Sequence, residues 1–133
     1  MAKLLIVEDD ESVRTLAARA LERAGHTVDV ACDGAEGLEV IHAESGIYDL
    51  IVSDIRMPEM DGIEMAQHAA RAYPGLPILL MTGYADQRER AEELDAIIID
   101  VVQKPFTLAD IRDRVSLALA RSVQSTEAFA GTA

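Results

Sequence analysis

The sequence predicts an α/β domain built on a doubly wound, five-stranded parallel sheet of strand order 2-1-3-4-5 with five helices. Short continuous apolar runs alternate along the chain with stretches of helical periodicity, as expected of strands buried on both faces between crossover helices. The runs end in polar residues, Glu8-Asp9-Asp10, Ser53-Asp54 and Thr82-Gly83, at the strand ends where such sheets bind ligands. The length, 133 residues, fits five βα units in one domain and excludes two ordinary domains.

Leu4, Leu5, Ile6 and Val7 form the first strand. Val13, Leu16, Ala17, Ala20, Leu21 and Ala24 then make one apolar stripe, with Arg14, Arg19, Glu22 and Arg23 off it, until Gly25 ends the helix. Residues 27–31 alternate and are rich in β-formers, which suits a strand near the sheet edge. Asp33-Gly34 is a turn signal, and Ala35, Leu38 and Ile41 mark the second helix. Leu50, Ile51 and Val52 are the third strand, followed by a loop over residues 55–62. Ile63, Ala66 and Ala70 mark the third helix, which Pro74-Gly75 stops. Residues 77–81 form the fourth strand. Residues 85–95 are strongly charged and weakly amphipathic, and a fourth helix is expected there. Residues 97–102 contain the fifth strand, although Asp100 interrupts the run. Thr107-Leu108-Ala109-Asp110 resembles a capping box, and Leu108, Ile111, Val115, Ala118 and Leu119 make the stripe of a fifth helix. That helix should end near residue 120, leaving small and polar residues 121–133 as a mobile tail.

Half the residues are hydrophobic but only 4% are aromatic, so the core must be aliphatic. Lys plus Arg number 12 against 24 for Asp plus Glu, a net charge of −12 that argues against direct nucleic-acid binding. The single cysteine, Cys32, allows no intrachain disulfide. No signal-peptide core or membrane-length apolar run occurs, so a soluble, cytoplasmic protein is expected.

In this flavodoxin-like arrangement Glu8, Asp9, Asp10, Asp54, Thr82 and Lys104 meet at the carboxyl ends of the strands. Each like-charged pair at short range costs about 1–4 kcal/mol. A bound divalent cation offsets that cost, and so does protonation of one carboxyl. An all-oxygen ligand set favours a hard ion, Mg²⁺ before Ca²⁺. With a cation present the pocket can hold a phosphate, and a carboxylate can serve as nucleophile to form an acyl phosphate. Asp54, on the middle strand, is the best-placed nucleophile.

These residues resemble the response-regulator receiver domain of two-component signalling. The resemblance covers about residues 3–120 and rests on Leu5-Ile6-Val7-Glu8-Asp9-Asp10, Asp54-Ile55-Arg56-Met57-Pro58, Met60-Asp61-Gly62, Thr82-Gly83 and Lys104-Pro105-Phe106, in that order and spacing. It implies that Asp54 is the phosphoacceptor. It further implies that Asp9 coordinates Mg²⁺ directly, Glu8 through water, and Arg56 by its backbone carbonyl. Thr82 would be the switch hydroxyl and Lys104 the phosphate-contacting lysine, with a cis Lys104-Pro105 bond. A histidine kinase or phosphotransfer protein would supply the phosphoryl group, and a downstream protein target would read it. Residues 1–120 would form the receiver, with no output domain after it. Such a domain promotes its own phosphorylation and dephosphorylation and turns over no separate substrate.

The sequence departs from the family at Val101, where the family often has an aromatic switch residue. Tyr84, two residues after Thr82, is expected to take over part of that switch. Three rival functions remain to be weighed. A flavodoxin-type nucleotide binder needs a phosphate loop where this chain has Glu8-Asp9-Asp10. An aspartate-nucleophile phosphatase needs a second acid where this chain has Arg56. A phosphate-independent binding module would not require Asp54, Thr82 and Lys104 together.

Several residues have plainer expected roles. Asp61 is read as a helix cap, and Asp10 equally as a cap or a metal ligand. His26, His42 and His68 lack ligand spacing, Cys32 reads as a small buried hydrophobe, and Met57 and Met60 as packing residues. The charged run from Asp86 to Glu93 reads as a solvated face.

Overall fold

The computed structural model describes residues 2–83, 98–103 and 107–131. Its elements are β1 (Lys3–Val7), α1 (Glu11–Arg23), β2 (Thr27–Ala31), α2 (Gly34–Ala43), β3 (Leu50–Asp54), α3 (Gly62–Ala72), β4 (Ile78–Thr82), β5 (Asp100–Gln103) and α4 (Leu108–Gly131). All strands pair in parallel in the order β2-β1-β3-β4-β5, as predicted. Four helices occur among the described residues rather than five. The helix expected over residues 85–95 lies outside them.

Strand alternation divides the core into two layers. Leu5, Val7, Ile51, Ile78 and Leu80 pack with Ile41 of α2 and with Ile63, Met65 and Ala66 of α3. Leu4, Ile6, Leu50, Val52, Leu79 and Met81 face the opposite way, against Ala17 and Leu21 of α1 and Ile111, Val115 and Ala118 of α4. Every residue of β3 and β4 is buried, whereas the edge strand β2 is largely half-buried or exposed. Each large aliphatic side chain so buried contributes about 1.5–3 kcal/mol.

The turns entering the first three helices share one device. Asp10, Asp33 and Asp61 each accept a hydrogen bond from the backbone N–H three residues on, at 3.1, 2.8 and 2.8 Å. An aspartate cap satisfies an orphan N–H and places negative charge at the positive helix end. The predicted capping box at α4 is reciprocal: Asp110 N–H donates to Thr107 Oγ1 at 3.0 Å, and Thr107 N–H to Asp110 Oδ2 at 2.9 Å.

The structure corrects four expectations. Leu16 is 51% exposed, and Ala18 takes its place on the buried face of α1. Three alanines on that face let the helix sit close to the sheet, so the buried arc centres on Ala17, Ala20 and Leu21 and excludes Leu16. Leu108 is likewise 45% exposed, at the very start of α4. That helix continues to Gly131 instead of ending near residue 120. No Pro or Gly interrupts residues 108–130, and Arg, Gln, Glu and Ala carry the helix onward. Finally, Cys32 is exposed rather than buried, because it follows the last residue of the edge strand β2.

Candidate functional site

Strand register brings the predicted acids together. β1 and β3 are neighbours with Val7 opposite Ser53, so the residues following Val7 emerge beside Asp54. Ligand oxygens of Glu8, Asp9 and Asp54 all lie within 4.8 Å of one another. Glu8 is 1% exposed and Asp54 7% exposed, whereas Asp9 faces solvent. Thr82 ends the adjacent strand β4 and is wholly buried. Asp54 pairs with Met81 across β3–β4, which sets Thr82 one residue further along the same edge.

The acidic site has the donor set of a hard divalent cation, three carboxylates of which one is open to water. The residues fit such an ion on geometry and chemistry alike. Asp10, which the sequence left open, accepts the Val13 N–H and caps α1, and it lies outside the carboxylate cluster. Asp61 caps α3, as expected.

The loop after Asp54 is held by the backbone. Ile55 N–H donates to the Met81 carbonyl at 3.0 Å, and Gly62 N–H to the Ile55 carbonyl at 2.8 Å. Ser53 Oγ, fully buried, donates to the Asp54 carbonyl at 2.9 Å. Gly34 N–H donates to the Met60 carbonyl at 3.1 Å, and a side chain on Gly34 would collide with that carbonyl. Ile55 and Met57 are buried, as the packing role of Met57 requires, while Arg56 is exposed between them. Glu59 takes φ +67° at the loop tip.

One contact was not legible in the helical pattern. Arg14, assigned only to the polar side of α1, donates from Nη1 to the Glu8 carbonyl at 2.9 Å. Its position four residues after Asp10 in the first helical turn is the sequence signal. Val101 is half-buried against the α2–α3 core layer and pairs with Leu80. Tyr84, Lys104 and the Lys104-Pro105 bond lie outside the described residues.

Several other polar residues make local hydrogen bonds. The Cys32 thiol donates to Glu36 Oε2 at 2.9 Å. That bond, with some burial and the charges of Glu36 and Asp33, raises the thiol pKa. His42 Nδ1 and Tyr73 Oη lie 3.0 Å apart, and His26 Nδ1 accepts from the Ala2 N–H at 3.2 Å. Tyr48 Oη donates to Asp29 Oδ2 at 2.7 Å, and burial first, then that bond, pushes the phenol pKa well above its ordinary range.

The family model for the response regulator receiver domain matches residues 4–116. The chain belongs to that family. The receiver domain is 37% identical over 120 residues to the response regulator MprA of Mycobacterium ulcerans, covering 90% of this chain and 51% of MprA. It thus spans about half the length of the curated relatives it matches. Among solved structures it is similar to a CheY-like receiver domain protein of Methanospirillum hungatei, with TM-score 0.83, 28% identity and coverage of 94% and 98% of the two chains. It is also similar to TrrA of Thermotoga maritima, solved in complex with Mg²⁺-BeF, with TM-score 0.78, 28% identity and coverage of 89% and 99%. The receiver domain is therefore a signalling module of two-component response regulators. No helix among its described residues is long and apolar enough to cross a membrane.

Proposed function

We propose that this receiver domain accepts a phosphoryl group on Asp54 in an Mg²⁺-dependent reaction and thereby changes its binding to a protein partner. The observation that carries the proposal is the meeting of the Glu8, Asp9 and Asp54 carboxylates within 4.8 Å on the middle of the sheet edge. Asp9 and Asp54 would hold the ion directly, Glu8 through water, and Arg56 through its backbone carbonyl. Bound Mg²⁺ supplies charge neutralisation that lets a phosphoryl group enter an acidic pocket. The relative TrrA has been solved with Mg²⁺-BeF, which supports that assignment.

The Asp54 carboxylate oxygen forms the new P–O bond as the bond from phosphorus to the donor's leaving group breaks, and the leaving group takes up a proton. The donor is a histidine kinase or a phosphotransfer protein. Thr82 and Lys104 contact the phosphoryl oxygens, the first by hydrogen bond and the second by charge. Phosphorylation adds roughly −1.5 to −2 charges, and the new acceptors bias the strand ends toward a second arrangement. Val101 supplies no aromatic ring for that switch, and Tyr84 takes over part of it. The domain acts on itself and turns over no separate substrate. Its net charge of −12 favours a protein target over nucleic acid.

The test is intact-protein mass after incubation with a small acyl phosphate and with a phosphorylated histidine kinase, with and without Mg²⁺. Gain of one phosphoryl group that needs both Mg²⁺ and Asp54, and is lost in Asp54→Asn, is expected. No gain from either donor, or an equal gain in Asp54→Asn, overturns the proposal.

A further inference from the structure

Arg14 grips the acidic turn at both ends. Its Nη1 donates to the Glu8 carbonyl at 2.9 Å, and its backbone N–H donates to the Asp10 carbonyl at 2.9 Å. Two longer bonds accompany these: within the turn Asp10 N–H donates to Glu8 Oε1 at 3.3 Å, and toward β2 Glu8 N–H donates to the Ala31 carbonyl at 3.1 Å. Val7 and Ala31 are the last paired residues of β1 and β2. The Glu8 carbonyl thus lies beyond the strand pairing and takes a side-chain donor. A guanidinium suits that role, because it is always charged and presents its donors in a rigid plane, and its charge strengthens the bond.

We propose that Arg14 is a positioning residue for the divalent-cation site. The proposal rests on the Mg²⁺-binding function proposed above. Asp54 is fixed in the central strand, with buried neighbours on both sides. Glu8 and Asp9 sit on a turn, so mutual repulsion of the three carboxylates is relieved most cheaply by swinging that turn away from Asp54. Arg14 opposes this movement by tying the Glu8 backbone to the first turn of α1. It touches neither the ion nor the phosphoryl group. It holds the carboxylates where an ion can bridge them.

Positioning and simple charge predict opposite signs. If Arg14 acted only as a nearby cation, its removal would tighten Mg²⁺ binding. If it positions the turn, its removal weakens binding, on the scale of about tenfold seen when groups that orient metal ligands are lost. The experiment is calorimetric titration of Mg²⁺ into the full chain, with melting in EDTA as the folding control. Arg14→Met keeps the aliphatic stem and removes the donor, and Arg14→Lys keeps the charge without the planar fork. Thr107→Ala loosens the distant start of α4 and reports what general destabilisation does to Mg²⁺ affinity. The expected result is a roughly tenfold weaker Kd in Arg14→Met, a smaller loss in Arg14→Lys, and an unchanged Kd in Thr107→Ala. Unchanged or tighter binding in Arg14→Met overturns the positioning role, as does a Thr107→Ala loss of equal size. Absence of Mg²⁺ binding by the wild type overturns instead the Mg²⁺ function on which the proposal rests.

Discussion

Gly62 is packed directly onto the backbone of Asp54: a methyl group built on its α-carbon would collide with the Asp54 carbonyl oxygen. Its N–H also donates to the Ile55 carbonyl at 2.8 Å. The first residue of α3 therefore fixes the peptide that carries the proposed phosphoacceptor, and only a residue without a side chain fits there.

Gly62→Ala is accordingly expected to destabilise the fold by about 1–3 kcal/mol, the usual cost of overpacking a tight site. Displacing Asp54 should also slow phosphoryl uptake by as much as roughly 10²-fold, the scale for an error of about 1 Å at a reacting group. Gly83 is the matched control, since no atom of the described residues lies within 4 Å of a side chain added there. Gly83→Ala should stay within about 0.5 kcal/mol of wild type in urea denaturation. Equal stability losses in the two variants would contradict the packing argument.

The three clustered carboxylates make a second prediction. In EDTA, Asp54→Asn removes one member of a repelling set and should stabilise the domain by about 1–2 kcal/mol. Mg²⁺ should raise the melting temperature of the wild type and have little effect on Asp54→Asn. Calorimetry in the two buffers measures both effects. A lower melting temperature for Asp54→Asn in EDTA would show that the apo site is not under electrostatic strain.

Cys32 is exposed but should react slowly. Its thiol is bonded to Glu36 at 2.9 Å, and that bond first, with some burial and the nearby acidic charges, raises its pKa. The nucleophile is the thiolate, so alkylation by iodoacetamide at pH 8 should lag behind that of an ordinary exposed cysteine. Glu36→Ala removes the bond and the largest repelling charge, and should accelerate the reaction severalfold. Identical rates for wild type and Glu36→Ala would refute the assignment.

The capping box of α4 should be pH-dependent in a fixed direction. The Thr107 backbone N–H first, and its hydroxyl second, hold the Asp110 carboxyl below its ordinary value. A depressed folded pKa means that the contribution is full above the unfolded value of about 3.9 and is lost as pH falls through the folded value. Asp110→Ala should therefore destabilise the domain at pH 7, with the difference from wild type shrinking under acid. Thr107→Ala, which removes the cap itself, should cost about 1 kcal/mol at neutral pH. Helicity followed by circular dichroism across pH 2–7 checks both, and a difference that grows under acid would refute the sign.

Much of the site was legible because its determinants are local. A short aliphatic run that ends in acids places those acids at a strand's carboxyl end, and parallel pairing then gathers them. That logic put Glu8, Asp9, Asp54 and Thr82 at the strand ends without any distance being known, and the clustering of the three carboxylates follows from the strand order. The cap at Asp61 and the box at Thr107 and Asp110 were legible for the same reason, since each bond spans three residues.

The sequence by itself determined the strand order, the central acids and the starts of α3 and α4, because alternation, periodicity and capping are properties of a few neighbouring residues. Only the tertiary structure decided which side chains the layers cover. Periodicity marks a helix face but not the width of the arc a neighbouring sheet buries, so Leu16 and Leu108 are exposed and Ala18 is buried. Cys32 is exposed by its place just past the edge strand, which composition cannot report. The bond from Arg14 to the Glu8 carbonyl is likewise tertiary, because it requires the turn to fold the chain back within reach of the guanidinium.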